Sequence, residues 1–249
     1  MPASASNMKE MMGYLLASAL PTRPISSGAL DLRLSPAYDY YTLPPSTQGS
    51  GEWKLSGYGV GASAVYAFTG HWAATGMFGY GELSGTDGQG NTPRSTGYVA
   101  TANAIYDPFS GHDFRLPIMA GLGYRNMVEE DAVCSVGVCF DAKGLALDAG
   151  AAPQVNTGFL RWILFGYLLT GEPSPRLSGP AGLASDPSQN IAGGAGLSVV
   201  YRPWNLGVTY IPAAATNVAH GETNSVYALT FQRRLQLGEV DAVSQARDR

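Results

Sequence analysis

The sequence predicts an all-β fold: a transmembrane, antiparallel up-and-down β-barrel of about ten strands, with eight or twelve as the neighbouring solutions. Three observations predict it. Charged residues are only 14% of the 249-residue chain, yet its mean hydropathy is -0.02, so it lacks the roughly one-quarter charge of a soluble domain without being greasy. Its 32 glycines and 14 tyrosines take up the difference. No window offers the roughly 20 apolar residues of a membrane-spanning helix; the longest apolar stretch, Phe159 to Leu169, falls short and contains Arg161. A closed barrel is the other structure that satisfies every backbone group in hydrocarbon. The third observation is a period-two alternation that returns along most of the chain.

That alternation is plainest between Trp53 and Leu83. Tyr58, Val60, Ala62, Ala64, Tyr66 and Phe68 share one parity, and Gly57, Gly59, Gly61 and Ser63 the other, which is the period of a strand. Thr69-Gly70-His71 turns the chain into a second run, with Trp72, Ala74, Gly76, Phe78 and Tyr80 opposite Thr75, Met77, Gly79 and Gly81. The bulky face carries no charge and suits lipid. The small face is too slight to fill a soluble core, where large apolar groups sit inside and charge outside. Its glycines predict a lumen nearly empty beside this hairpin, and a pathway through the barrel is expected there.

The rest follows in chain order. Residues 1–28 form an N-terminal segment that reads either as a signal peptide or as a plug of the barrel. Lys9, the apolar Met11 to Leu16 and Ala17-Ser18-Ala19 outline a secretory signal. From Ala29 to Leu43, Leu30, Leu32, Leu34, Tyr38 and Tyr40 face outward and Asp31, Arg33 and Asp39 inward. After the hairpin, Tyr98 to Tyr106 presents Asn103 inward. The strand from Phe114 to Arg125 presents Arg115 and Arg125, and Gly144 to Asn156 presents Asp148. Arg161 to Thr170 is apolar on both faces and fits a strand or a short buried helix; the strand reading is kept. Asn190 to Arg202, Trp204 to Tyr210 and a last run through Tyr227, Leu229 and Phe231, with Arg234 inward, complete a barrel over 29–236. Residues 237–249 form a charged tail on the periplasmic side.

Long polar connections (43–51, 84–93, 126–142, 171–189, 213–223) alternate with short ones (near 70, 108–113, 157–160, 203), as a barrel with two unlike ends requires. Outward aromatics test the idea independently, because Trp and Tyr collect at membrane interfaces. Tyr38, Tyr40, Tyr58, Tyr80, Tyr98, Tyr124, Tyr210 and Tyr227 fall near the long-loop end, and Tyr66, Phe68, Trp72, Tyr106, Phe114, Tyr201 and Trp204 near the short-turn end. They make two girdles.

Gly-rich alternating hairpins, two aromatic rows and a final Tyr227-x-Leu229-x-Phe231 resemble the small bacterial outer-membrane β-barrel proteins, porin-like barrels included. The resemblance covers residues 29–236 and is one of pattern. It implies residence in the bacterial outer membrane, contact with outer-membrane lipid and lipopolysaccharide, and delivery by the outer-membrane insertion machinery, which reads a terminal aromatic signal. A place as a subunit of a larger envelope assembly is a further expectation. Here the chain continues past that signal from Gln232 to Arg249, unlike most of the family.

Candidate chemistry is sparse. Asp31, Arg33, Asp39, Lys54, Asn103, Arg115, Arg125, Asp148 and Arg234 are the predicted lumen-lining residues, as a salt-bridged filling or as the lining of a narrow pore. Cys134 and Cys139, in the longest strand-proximal loop of an exported protein, predict a disulfide. His220 with Glu222, and Glu129 to Asp131, lie on long connections and are conceivable parts of an omptin-like protease, but acidic loops are ordinarily just solvated. No nucleophile elbow, metal-ligand cluster or phosphate loop is found, and a net charge of -4 excludes the basic stripe of a nucleic-acid binder. The expectation is a non-enzymatic barrel without metal or cofactor, with an envelope-structural or narrow-pore role; a surface-loop adhesin is the alternative.

Overall fold

The computed structural model describes residues 21–43, 53–86, 90, 92, 94–109, 113–130, 138–170, 191–212 and 223–237. Twelve strand segments make up the wall: β1 (Ala29–Leu43), β2 (Trp53–Ala67), β3 (Trp72–Thr86), β4 (Arg94–Tyr106), β5 (Phe114–Arg115), β6 (Ile118–Glu130), β7 (Val138–Ala151), β8 (Gln154–Thr157), β9 (Leu160–Thr170), β10 (Ile191–Tyr201), β11 (Leu206–Ile211) and β12 (Thr223–Gln236). Two prolines explain why twelve segments make ten staves. Pro117 parts β5 from β6 and Pro153 parts β7 from β8, each lacking the N–H that would continue the ladder. The backbone is stitched across both breaks, Ala152 N donating to Pro117 O at 3.0 Å and Leu164 N to Pro153 O at 3.1 Å.

All neighbours are antiparallel, and the pairing of β9 with β10, from Leu160↔Tyr201 to Thr170↔Ile191, closes the sheet into a barrel. The short turns use the chemistry their sequences offer. Thr69 Oγ1 accepts from the backbone of His71 and Trp72, while Gly158 (φ 59°) and Asn205 (φ 49°) supply the left-handed backbone that two of the tight returns need. Residues Leu160–Thr170 form a strand, not a helix.

The first three strands each have 15 residues, more than the roughly 9–11 that a bilayer requires. The excess lies at the long-connection end and revises two predicted loops. β3 continues to Thr86, β6 reaches Glu130 and β7 begins at Val138, with Arg94 opposite Glu130 and Val128 opposite Asp141. Polar composition signals exposure to water, not absence of pairing; ladders that leave the hydrocarbon keep their hydrogen bonds.

Burial alternates with the pleat. In β4 the odd residues from Ser95 to Ile105 are all buried, and the even ones are exposed or half-buried. Leu32, Leu34, Phe78, Leu122, Leu147, Leu164, Val208, Leu229 and Phe231 stand on the outer face, exposed. This is the outward apolar polarity expected for a wall in lipid.

Candidate functional site

The lumen is where chemistry collects, and register explains how. A single in-register row runs Arg234, Asp31, Val65, Thr75, Asn103, Gly121, Asp148 across six neighbouring strands and β12. Four of the predicted lumen residues therefore share one hoop. Arg234 grips Asp31 with two hydrogen bonds, Nε to Oδ1 at 2.8 Å and Nη2 to Oδ2 at 2.7 Å, the bidentate geometry that makes such pairs strong. Asn103 donates to Thr101 Oγ1 at 3.1 Å. Its amide lies across Gly121, where any Cβ would collide with Asn103 Oδ1 and the Ala102 carbonyl.

Arg33, Asp39, Arg115, Arg125 and Asp148 are also buried on inward parity. Lys54 is a correction. Pairing between β2 and β3 runs unshifted from Lys54↔Thr86 to Ala67↔Ala73, so an even-numbered residue of β2 shares the outward face of Tyr58, and Lys54 is exposed.

Two features of the lumen were not read from sequence, and a third was read only as a possible plug. The first is a buried ion pair at the short-turn end: Arg115 Nη2 lies 2.5 Å from Asp107 Oδ2, and Asp107 Oδ1 accepts from the backbone N–H of Phe109 and Leu116 at 3.3 Å. His71 completes this corner, with Nδ1 2.8 Å from the Asp107 carbonyl. Asp107 precedes Pro108 and reads as plain turn chemistry, which concealed it.

The second is apolar bulk. Leu55, Leu83, Val99, Ile105, Met119, Ile163, Phe165 and Ile211 all point inward and are buried. The glycines Gly57, Gly59, Gly61, Gly79 and Gly81 are buried too, so the wall beside the β2–β3 hairpin is covered on its lumen side and borders no open path.

The third is a strap. Pro21 to Gly28 leaves the start of β1 and runs into the barrel mouth, where Pro21, Thr22 and Ile25 are buried. The wall binds its carbonyls. Gln154 Nε2 donates to Pro21 O and Arg234 Nη2 to Pro24 O, each at 2.5 Å, and Arg161 Nη1 donates to Thr22 O. The Thr22 hydroxyl accepts from Arg33 Nη2 at 3.3 Å and donates to Gln232 Oε1. Ser27 O accepts from Gln236 Nε2 at 3.0 Å, and Gly28 N donates to Ala67 O at 2.9 Å. The sequence suits this position, because Pro21 and Pro24 present carbonyls with no N–H of their own to satisfy, opposite the Gln154 and Arg234 donors. A Pro-x-x-Pro segment before an arginine-bearing strand was the available signal.

The predicted girdle residues Tyr58, Tyr66, Trp72, Tyr80, Tyr98, Tyr106, Tyr124, Tyr201, Trp204, Tyr210 and Tyr227 are all exposed. At the long-connection end, Tyr210, Tyr227, Tyr38 and Tyr58 stand in one register row. Their rings touch, with centroids 5.1 Å apart for Tyr210–Tyr227 and 5.4 Å for Tyr38–Tyr58. Tyr80, Tyr98 and Tyr124 continue the belt after steps in register, as a level belt on tilted strands must. At the other end Trp72 packs on Tyr106 at 4.7 Å and Tyr201 on Trp204 at 5.5 Å. Cys134, on which the predicted disulfide depends, and the His220, Glu222 and Asp131 candidates fall outside the described residues, as do the side chains of Cys139, Glu129 and Glu130.

No family model matches the sequence, and no curated protein does. Solved structures do match. The chain is similar to the translocator domain of the autotransporter NalP from Neisseria meningitidis, at a TM-score of 0.56 and 13% identity, over 94% of this chain and 97% of that one. An outer membrane channel from Pseudomonas putida F1 matches at 0.49 and 11% identity, over 87% of this chain and 99% of that one. The transport unit of the autotransporter AIDA-I from Escherichia coli matches at 0.49 and 10%, over 92% and 98%. With its closed wall of ten staves, apolar outside and polar-and-packed inside, the chain has the fold of the bacterial outer-membrane β-barrel proteins.

Proposed function

We propose that the protein is a non-enzymatic barrel of the bacterial outer membrane with an envelope-structural role, its lumen closed at the periplasmic, short-turn mouth by its own Pro21–Gly28 strap. Small solutes pass only when the strap moves. The observation that carries this reading is the capture of the strap carbonyls of Pro21, Thr22 and Pro24 by Gln154, Arg161 and Arg234. Outer-membrane lipid and lipopolysaccharide are the partners of the apolar band and its aromatic belts, and the insertion machinery is the partner of Tyr227-x-Leu229-x-Phe231. Attachment to a larger envelope assembly accords with a barrel that carries little traffic of its own.

Two measurements test it. Unheated protein is expected to migrate faster than boiled protein on a denaturing gel; absence of that shift removes the barrel. In planar bilayers the full chain is expected to sit near baseline with rare, brief openings, whereas a steady open channel refutes closure by the strap.

A further inference from the structure

Arg161 is an unusual buried cation. It is 4% exposed, yet its hydrogen-bond acceptors are neutral: Asn156 Oδ1 at 2.8 Å and the Thr22 carbonyl. Burial disfavours its charge first, and the arginines Arg202, Arg115, Arg23 and Arg234 add repulsion to it. Arg234 is ion-paired with Asp31 and Arg115 with Asp107. A buried charge is ordinarily met by an opposite one. Here a peptide carbonyl, carrying only a partial negative charge, stands where a counter-ion would.

The neighbourhood makes the same point. Gln154 Nε2, Arg33 Nη2 and Arg234 Nη2 also turn donors toward the strap. The mouth is thus a converging set of donors filled by backbone oxygen. The geometry points to an anion-binding site centred on Arg161, occupied by the Thr22 carbonyl when the barrel is closed and by a small inorganic anion when the strap is displaced. The inference rests on closure by the strap and adds what the opened mouth selects. Rings of arginine select anions where a pore narrows, because an anion gains there what it loses in hydration.

The test uses the full chain with the strap loosened and the arginines untouched: Thr22→Gly with Pro24→Gly, folding being checked by the heat-dependent gel shift. In a potassium chloride gradient across a planar bilayer, the variant is expected to open several-fold more often than the parent, with its reversal potential displaced toward the chloride equilibrium value. Millimolar inorganic phosphate is expected to block that current. Arg161→Gln in the same background is expected to weaken the block and move the reversal potential back toward zero. Should the double variant fail to fold, Thr22→Gly alone carries the same readings at lower open frequency. A cation-selective or unselective current, a folded variant that never opens, or a phosphate block indifferent to Arg161→Gln overturns the proposal. A parent protein that is already steadily open refutes closure instead, and the sign of its selectivity still reports on the anion site.

Discussion

Two hairpins of this barrel carry the same sequence signal, inward glycines at every second position, and use it for different ends. In β9–β10, Gly194 and Gly196 lie directly opposite Tyr167 and Phe165. A Cβ on Gly194 would meet first the Tyr167 ring, with Oη at 2.5 Å and Cζ at 2.7 Å. These glycines are seats for aromatic rings that fold sideways onto the next strand, the pairing by which aromatics compensate strand glycines. In β2–β3, Gly57 faces Leu83 and Gly85 faces Leu55. A Cβ on either would run into the backbone of the partner strand at Glu82 or Lys54. Those glycines let two backbones approach, and the leucines opposite fill the lumen. The two strands β2 and β9 also lie diametrically across the barrel, five staves apart in either direction. One wall is thin and the other bulky, so the interior is shared unevenly.

The strongest way to break this comparison is at Gly57. Because the obstruction is backbone, no side-chain truncation relieves it. Gly57→Ala is expected to abolish the folded, heat-shifted band, and adding Leu83→Ala is not expected to restore it. Gly76→Ala, an outward position with nothing within 4 Å of the added atom, serves as the neutral control. Rescue by Leu83→Ala would make Gly57 a side-chain seat like Gly194.

The second largest effect is expected at the Arg115–Asp107 pair. Both side chains are almost wholly buried and their charged atoms lie 2.5 Å apart, so removing one strands the other. Breaking such a pair costs about 3–5 kcal/mol. Asp107→Asn should lower the urea midpoint of the refolded barrel accordingly, while Asp107→Asn with Arg115→Gln should recover part of the loss. Additive losses in the double variant would show that Asp107 acts only through the N–H groups of Phe109 and Leu116.

These contrasts mark how far the sequence could be read. The period-two pattern specified the architecture, because a strand with one face in lipid cannot slip by a residue without burying its charges in hydrocarbon. That is why Asp31, Arg33, Asn103, Asp148 and Arg234 fall on inward parity and the tyrosines on the outer face. Lys54 went wrong for the converse reason: it lies at the aqueous end of β2, where a charge is tolerated on either parity. Of the occupancy of the lumen only a salt-bridged filling was offered, beside an open pore, and the apolar bulk was not legible. Whether an inward glycine borders a void, a ring or a neighbouring backbone depends on the strand beside it, and period two is silent on that. A plug was one of two readings of residues 1–28, but the contacts of the strap were not legible, because they span the chain, from Thr22 to Arg161 and Gln232, and its donors come from strands whose order only closure sets.

A subtler prediction sharpens the ring-on-glycine half of the comparison. Gly194→Ala pushes against the far end of the Tyr167 side chain, so it should cost less than Gly57→Ala, about 1–3 kcal/mol as in overpacked interiors. Tyr167→Ala should carry a cost of its own for the lost ring. In the double variant the two costs should not add: a favourable coupling of about 0.5–3 kcal/mol in a double-mutant cycle is expected for groups in contact. Additivity would mean that the ring and the glycine are neighbours in register only.

The smallest effect is expected at the rim, where charge pairing looks alike on paper and differs in surroundings. Glu82 and Arg94 make an ion pair at 3.0 Å between the water-facing ends of β3 and β4, with side chains 39% and 54% exposed. Water already solvates both groups, so the Coulomb gain is small and salt screens what remains. Glu82→Gln should shift the urea midpoint by no more than about 0.2–1 kcal/mol, and by less in molar salt. If Glu82→Gln costs as much as Asp107→Asn at the opposite mouth, the rim is drier than its exposure indicates. The contrast between a packed lumen and a solvated collar would then have to be redrawn around a sealed long-connection end.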